Sequence, residues 1–164
     1  VQLEVWLPLL KAGRTDDLVR QLTELGVARV VPFTSRRSVA QLRGDRVLRQ
    51  LNRWRTIAEE ATRQCGRADL PIIDEARGLP DSGPGVVLWE QGGEPARQAL
   101  SAVADHGSLR VLTGPEGGLE SEEIEALEAL GWRPAYLGPR ILRADTAVIA
   151  TATLALHALE EGGY

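Results

Sequence analysis

Short apolar runs alternate along the chain with longer stretches in which apolar residues recur every three or four positions. The runs are typical of buried strands, and the periodic stretches are typical of amphipathic helices. Strands are expected at residues 3–7, 30–34, 86–89, 109–113 and 134–137. Helices are expected at residues 16–26, 47–65, 95–104, 121–130 and 143–160. Because strands and helices alternate, the pattern predicts an α/β fold whose mostly parallel sheet is covered by helices on both faces.

The helical stretches also predict which side chains are buried and where the helices end. The apolar face of the first helix, which Gly26 ends, consists of Leu18, Val19, Leu22 and Leu25. The apolar face of the long second helix consists of Val47, Leu48, Leu51, Trp54, Ala58, Ala61 and Cys65. We expect Ser121 to cap the helix that it begins and Gly131 to end that helix. Residues 71–85, which are rich in Pro and Gly, are expected to form a surface connection.

Length and composition indicate one soluble domain over residues 1–164, with 43% hydrophobic and 26% charged residues. No apolar run approaches the roughly 18 residues of a membrane span. The lone cysteine cannot form a disulfide within the chain, which fits a reducing cytoplasm. The chain has no methionine and begins with Val1. We therefore expect a further segment before it in the gene.

The net charge of −4 is unevenly distributed along the chain. Residues 1–70 carry 13 Lys and Arg against 8 Asp and Glu, a balance of +5. Residues 71–164 carry 6 against 15, a balance of −9. A basic half is suited to contact with the phosphates of a nucleic acid, whereas the whole-chain charge alone argues weakly against such a partner.

Three glycine-containing loops follow predicted strands, at residues 90–93, 114–118 and 137–143. Ligands of parallel sheets collect at the carboxyl ends of the strands, where such loops lie. Glycine lets a flat ligand approach the backbone closely, and proline stiffens the loop before binding. Any one of these loops could be an ordinary turn, but three together favour a nucleoside site. Neither the P-loop pattern nor the Gly-x-Gly-x-x-Gly pattern of dinucleotide sites occurs.

Two of these loops carry a resemblance to a known family. Residues 112–118 read LTGPEGG and residues 137–143 read LGPRILR. They resemble the two signature loops of the RsmE-type methyltransferases of the SPOUT superfamily, which methylate N3 of a uridine in bacterial 16S ribosomal RNA. Further similar landmarks are KAGR at 11–14, TELGV at 23–27, RRS at 36–38, Trp54 and EATRQCGR at 60–67. The resemblance therefore covers nearly the whole chain.

The resemblance implies a C-terminal trefoil knot, S-adenosylmethionine as the cofactor, and a homodimer with the site at the subunit interface. It also implies a small N-terminal PUA-like barrel, which we expect to be missing from this chain. No metal and no membrane partner are expected. The cofactor-binding residues it implies are Leu88, Trp89, Glu90, Thr113, Gly114, Pro115, Glu116, Gly117, Gly118, Leu137, Gly138, Ile141, Leu142 and Arg143. The RNA-binding residues it implies are Arg14, Arg36, Arg37, Gln64 and Arg67.

The chemistry of the reaction selects candidate catalytic residues near the loops. Uridine N3 carries a proton at neutral pH, so a base or a cation that stabilises the uridine anion should accelerate transfer. Arg143 is the first candidate for the cation and Arg140 the second. Glu116 is a candidate proton acceptor; alternatively, its carboxylate caps backbone amides of its own loop. Asp145, which keeps a carboxylate where the family more usually has glutamate, is the other candidate proton acceptor.

Two other functions remain open on the sequence alone. One is a different SPOUT methyltransferase, which acts on a ribose 2′-hydroxyl. The other is a knotted domain that binds RNA or cofactor without catalysis, suggested by the altered Ala144-Asp145 pair and by the missing barrel.

Overall fold

The computed structural model describes residues 2–11, 13–104 and 107–161. Its elements follow the chain in the order β1 (Gln2–Pro8), α1 (Arg14–Leu25), β2 (Arg29–Phe33), α2 (Asp45–Cys65), β3 (Ile72–Ile73), β4 (Gly85–Leu88), β5 (Glu94–Pro95), α3 (Ala96–Val103), β6 (Ser108–Thr113), α4 (Ser121–Ala129), β7 (Trp132–Tyr136) and α5 (Ala144–Glu161). All ten expected elements are present within a few residues of their expected bounds. The strands β3 and β5 were not expected, because two residues are too few to produce a periodic pattern.

The strands form one parallel sheet in the order β3-β2-β1-β6-β4-β7-β5. This confirms the predicted α/β architecture. The strands β6, β4 and β7 are direct neighbours, with Val86 paired to Val111 on one side and to Arg133 on the other. The three strands that precede the glycine-containing loops therefore end side by side at one edge of the sheet.

The helices cover the two faces of the sheet unequally. A large core lies between one face and the helices α1, α2, α3 and α5, and α2 packs mainly on α1. A smaller core lies on the other face, beneath α4. Trp6 is central to it, with ring centroids 6.3 Å from Phe33 and 6.5 Å from Trp132. Both cores stabilise the central strands, whose side chains are buried on both faces.

Three side chains predicted to be buried are exposed instead. Leu48 is 56% exposed and Cys65 is also exposed, although Leu51, Trp54, Ala58 and Ala61 of the same face are buried. The 21 residues of α2 span about 32 Å, whereas the 12 residues of α1 span about 18 Å. Gln50, Arg53 and Trp54 contact Asp16 at the start of α1, so the first turn of α2, with Leu48, extends beyond α1. Cys65 is the last residue of α2 and lies at the end of its packed face. Leu25, the last residue of α1, is 36% exposed.

The start of α4 also differs from the prediction. The cap position belongs to Glu120, whose backbone is extended with φ −77° and ψ 154°, and not to Ser121. The carboxylate of Glu123 accepts a hydrogen bond from the backbone amide of Glu120 at 3.0 Å. This satisfies an amide that the first helical turn leaves unpaired. Gly131 follows the helix with φ 91°, as expected of a residue that ends it.

Candidate functional site

A cavity of about 460 Å³ opens at the edge of the sheet where β4, β6 and β7 end. Its walls are formed by the three loops that follow these strands and by the first residues of α5. Sites for small molecules commonly measure about 300–1,000 Å³ and lie at this edge of parallel sheets. Size and position therefore make this cavity the candidate ligand site.

The cavity brings together nearly all residues that the sequence predicts as cofactor contacts. Its lining includes Leu88, Trp89, Glu90, Thr113, Gly114, Pro115, Glu116, Gly118, Leu137, Gly138, Ile141, Leu142 and Arg143. The one predicted residue outside the lining is Gly117. The sequence did not select six further lining residues, which are Leu119, Ala135, Tyr136, Pro139, Ala144 and Ala147. None of them is a glycine or a charged residue, so nothing in the sequence marks them as ligand contacts.

Two residues of this lining carry buried polar atoms without a partner. Among the described residues, Trp89 Nε1, Thr113 Oγ1 and Thr62 Oγ1 are buried side-chain atoms with no hydrogen bond. Such an atom costs about 1–3 kcal/mol of stability. The indole can only donate a hydrogen bond, whereas the hydroxyl can donate and accept. Trp89 and Thr113 both line the cavity, so these two atoms are candidate partners for a ligand with donors and acceptors, such as a nucleoside.

The loop of residues 114–118 has a shape that requires glycine. Gly118 adopts φ 73°, in the left-handed region, and its amide donates to the carbonyl of Pro115 at 2.8 Å. A Cβ on Gly114 would lie 3.2 Å from Cγ of Leu119, which is buried. The backbone of this loop is thus compact, and it lines the cavity at Gly114 and Gly118.

The Glu116 carboxylate joins this loop to the connection between β1 and α1. It accepts a hydrogen bond from the backbone amide of Lys11 at 3.4 Å, and it lies 3.7 Å from a guanidinium nitrogen of Arg14. The sequence left open that this carboxylate accepts hydrogen bonds from backbone amides of its own loop. The observed amide instead lies 105 positions earlier in the chain. Glu116 therefore links two edges of the cavity, and Arg14, a predicted RNA contact, lines the same cavity.

The two candidate catalytic arginines belong to the loop between β7 and α5. Arg140 and Arg143 are exposed and line the cavity. Within the described part of the chain, neither guanidinium has a hydrogen bond or an ion pair. Two unpaired cations beside one cavity favour an anionic partner or a reaction in which negative charge develops. Asp145, next along the chain, uses its carboxylate to accept from the amide of Thr146 at 3.0 Å.

Arg36 and Arg37 bond residues within or just after the loop of residues 114–118. Arg36 Nη1 donates to the Glu120 carboxylate at 3.0 Å, and this hydrogen bond raises the pKa of the Arg36 guanidinium. Arg37 Nη1 donates to the carbonyl of Gly117 at 3.2 Å. Both side chains remain about half exposed or more. Their predicted contact with RNA stays a prediction.

Arg67 has a different environment from the other predicted RNA contacts. Its side chain is only 11% exposed and donates to the carbonyls of Thr23 and Val27, at 2.8 and 3.0 Å, and to Asp69. Its guanidinium thereby lowers the pKa of the Asp69 carboxyl. These bonds satisfy carbonyl groups near the end of α1, so the geometry favours a structural role for Arg67.

Gln64 lies in a groove between α1 and α2, away from the cavity. The groove is lined by four carboxylates, from Asp16, Asp17, Glu24 and Glu60, and by the guanidinium of Arg20. Predominantly negative surroundings disfavour a phosphate. The contact of Gln64 with RNA stays a prediction, which its surroundings do not favour.

The described residues contain neither a cluster of metal-binding side chains nor a helix suited to a membrane. Within residues 2–11, 13–104 and 107–161, no three His, Cys, Asp or Glu side chains cluster closely enough to hold a metal ion. None of the helices in these ranges combines the length and apolarity needed to cross a membrane.

Comparison with known proteins gives close relatives. A family model described as an RNA methyltransferase domain matches residues 1–156. The ribosomal RNA small subunit methyltransferase E of Bacillus subtilis is 32% identical over 151 residues, which are 85% of this chain and 59% of that protein. The protein of the same name from Mycobacterium bovis is 35% identical over 150 residues, which are 85% and 56%. The chain thus spans less than two thirds of the length of these relatives.

A solved structure shares the fold. The ribosomal RNA small subunit methyltransferase E of Neisseria gonorrhoeae, determined bound to S-adenosyl methionine, superimposes with a TM-score of 0.79 and 25% identity. The match covers 93% of this chain and 65% of that one. Together these similarities confirm the resemblance carried by the motifs at residues 112–118 and 137–143.

Proposed function

Because the chain belongs to the RNA methyltransferase domain family, we propose that it transfers a methyl group from S-adenosylmethionine to N3 of a uridine in 16S ribosomal RNA. The observation that carries this proposal is the cavity in which three adjacent loops bring together two unpaired buried polar atoms and two unpaired arginines. The relatives' names and the bound methyl donor of the Neisseria protein support it.

The residues present fit S-adenosylmethionine. When bound, it supplies a methyl group on a positively charged sulfur. The backbones of residues 114–118 and 137–138 would hold its flat base between glycine-containing loops. The unpaired groups of Trp89 and Thr113 would bond its polar atoms. Leu88, Leu137 and Leu142 supply the apolar part of the wall.

The chain's own contribution to the chemistry is positioning and electrostatic stabilisation. Holding two reactants at near-attack distance can supply about 7–11 kcal/mol of the barrier reduction. Arg143 and Arg140 stabilise the negative charge that develops on uridine when N3 loses its proton, since neither guanidinium is neutralised by a described carboxylate. The contacts of Glu116 with Lys11 and Arg14 support a role in holding the loop, rather than in accepting that proton, which would pass to water at the exposed side of the cavity.

Three features that the resemblance implies remain part of the proposal. They are the trefoil knot formed by the C-terminal region, a homodimer, and a PUA-like barrel that accompanies this domain. Action in the cytoplasm, which the lone cysteine fits, is proposed as well. One observation supports the homodimer. Ile141 is 80% exposed, and Tyr136 and Leu142 are 40% and 37% exposed, all at the cavity lining. Apolar side chains grouped beside a site are commonly covered by another molecule.

The proposal can be tested by reverse transcription of ribosomal RNA. A methyl group on N3 prevents Watson–Crick pairing. Reverse transcriptase should therefore stop at one uridine of the ribosomal RNA from normal cells. On ribosomal RNA from cells that lack the gene, reverse transcriptase should read through that uridine. Restoring the gene should restore the stop. A stop that is unchanged in the deletion strain would contradict the proposal. A ribose 2′-O-methyltransferase would leave base pairing intact, and a binding domain without catalysis would leave the RNA unmodified.

A further inference from the structure

The turn at residues 35–38 packs against the outer side of the cavity loop. A Cβ built on Gly117 would lie 2.9 Å from Cβ of Arg37 and 3.0 Å from its carbonyl oxygen, so there is no room for a side chain. The turn itself is held by Ser38, which is buried and whose hydroxyl accepts from the amide of Ser35 at 2.8 Å. The close approach of the turn is therefore sufficient reason for glycine at position 117, which lies outside the cavity lining.

The Arg37 side chain adds a polar bond to this contact. Its Nη1 donates to the carbonyl of Gly117 at 3.2 Å, and its Nε lies 3.7 Å from the carboxylate of Glu120. Arg36 bonds the same carboxylate at 3.0 Å. Within the described ranges, however, no hydrogen bond joins the Arg36 side chain to residues 114–118. The two neighbouring arginines thus share one acidic partner and differ in their contact with the loop.

From this difference we infer that Arg37 is a positioning residue for the methyl-donor site. It fixes the Gly117 carbonyl from outside the cavity, and thereby holds Gly114 and Gly118, which face the cavity, in their places. The inference rests on the proposed function, since it assumes that the cavity binds S-adenosylmethionine. It goes beyond that function because Arg37 would strengthen the binding of S-adenosylmethionine even when no RNA is bound.

The test is a calorimetric titration of the RNA-free protein with S-adenosylmethionine. The Arg37→Ala variant should bind it about five- to tenfold more weakly, because a half-exposed charged hydrogen bond is lost. The Arg36→Ala variant is the matched control, with the same loss of charge beside Glu120, and its affinity should stay within about twofold of the wild type. Arg37→Lys, which keeps a donor for the Gly117 carbonyl, should recover part of the loss.

A second pair of variants separates loop position from folding. Gly117→Ala should force the loop away from the turn and weaken binding of S-adenosylmethionine at least as much as Arg37→Ala. Gly78→Ala is its control, because a Cβ on Gly78 meets nothing within 4 Å. Thermal unfolding of each variant identifies losses that merely reflect destabilisation. If Arg37→Ala does not fold, the Gly117→Ala titration decides the question.

Several results would overturn the inference. Unchanged affinity for S-adenosylmethionine in Arg37→Ala, combined with a raised KM for the RNA substrate, would make Arg37 an RNA contact instead. Equal weakening in Arg36→Ala and Arg37→Ala would assign the effect to charge alone. A wild-type protein that does not bind S-adenosylmethionine would contradict the proposed function and this inference together, whereas unaffected variants of a binding-competent wild type would contradict this inference alone.

Discussion

The carboxylate of Glu116 lies 3.7 Å from the guanidinium of Arg14, across the edge of the cavity. The same carboxylate accepts from the amide of Lys11. The loop of residues 114–118 is thus bonded to the start of α1 by Glu116 and to the turn of residues 35–38 by Gly117. Both contacts bring together residues that are 80 or more positions apart, and they fix a loop that has few side chains of its own.

The position of Glu116 gives a prediction about its role. Glu116→Gln keeps an oxygen that can accept from Lys11, so kcat should stay within about tenfold of the wild type. Loss of a general base would cost about 10²–10⁴-fold. Glu116→Ala removes the link and should weaken binding of S-adenosylmethionine as well. The measurement is kcat and donor affinity for both variants, with Glu125→Gln on the exposed side of α4 as the control. A glutamine variant as slow as a lost base would contradict the anchoring role.

The unpaired Arg143 gives a prediction about catalysis. If it stabilises charge that develops during transfer, Arg143→Ala should lower kcat by about 10²–10³-fold. Its affinity for S-adenosylmethionine should change little. Single-turnover kinetics and calorimetry measure the two quantities separately, with Arg46→Ala, on the exposed start of α2, as the charge control. Equal losses in rate and affinity would show that Arg143 is a binding residue.

The unpaired hydroxyl of Thr113 gives a prediction in which stability rises while affinity for S-adenosylmethionine falls. Thr113→Val keeps the shape of the side chain and removes a buried atom without a partner, so the free energy of unfolding of the ligand-free protein should rise by about 1 kcal/mol. Affinity for S-adenosylmethionine should fall, because the ligand loses a hydrogen bond. Thr62→Val is a matched control: its hydroxyl is also unpaired but lies outside the cavity lining, so only stability should rise. A Thr113→Val protein with unchanged affinity would show that the hydroxyl does not bond the ligand.

The packing of Gly85 gives a prediction about folding alone. A Cβ at this position would lie 2.5 Å from the Trp132 ring, which is 2% exposed and cannot move aside. Gly85→Ala should therefore lower the free energy of unfolding by about 1–3 kcal/mol. Chemical denaturation measures the change, and Gly78→Ala should show little effect. A stable Gly85→Ala protein would mean that the smaller core rearranges more easily than its packing indicates.

The sequence was sufficient for the features that depend on local pattern. Apolar runs at residues 86–89, 109–113 and 134–137 located three strands of the parallel sheet. Because such strands end at a common edge, the loops that follow them were expected to meet, and they form the cavity. Glycine in each loop was the additional signal for a ligand.

The features that failed to emerge from the sequence depend on contacts between distant residues. Nothing local to Arg67 indicates that its guanidinium would be nearly buried on the carbonyls of Thr23 and Val27. The exposure of Leu48 depends on how far the start of α2 extends beyond α1. The glycine at position 117 fits the loop motif equally well whether a ligand or Arg37 approaches it, and only the packing of the chain distinguishes these cases.

The most direct test of the account is transfer of a labelled methyl group in a defined system. The protein is incubated with S-adenosylmethionine labelled in its methyl group and with small ribosomal subunits from cells that lack the gene, and the RNA is digested to nucleosides. We expect the label to appear in 3-methyluridine, and we expect Arg143→Ala to abolish most of it. Label in a 2′-O-methylated nucleoside or in another base, or no transfer by the wild-type protein, would contradict the proposed function.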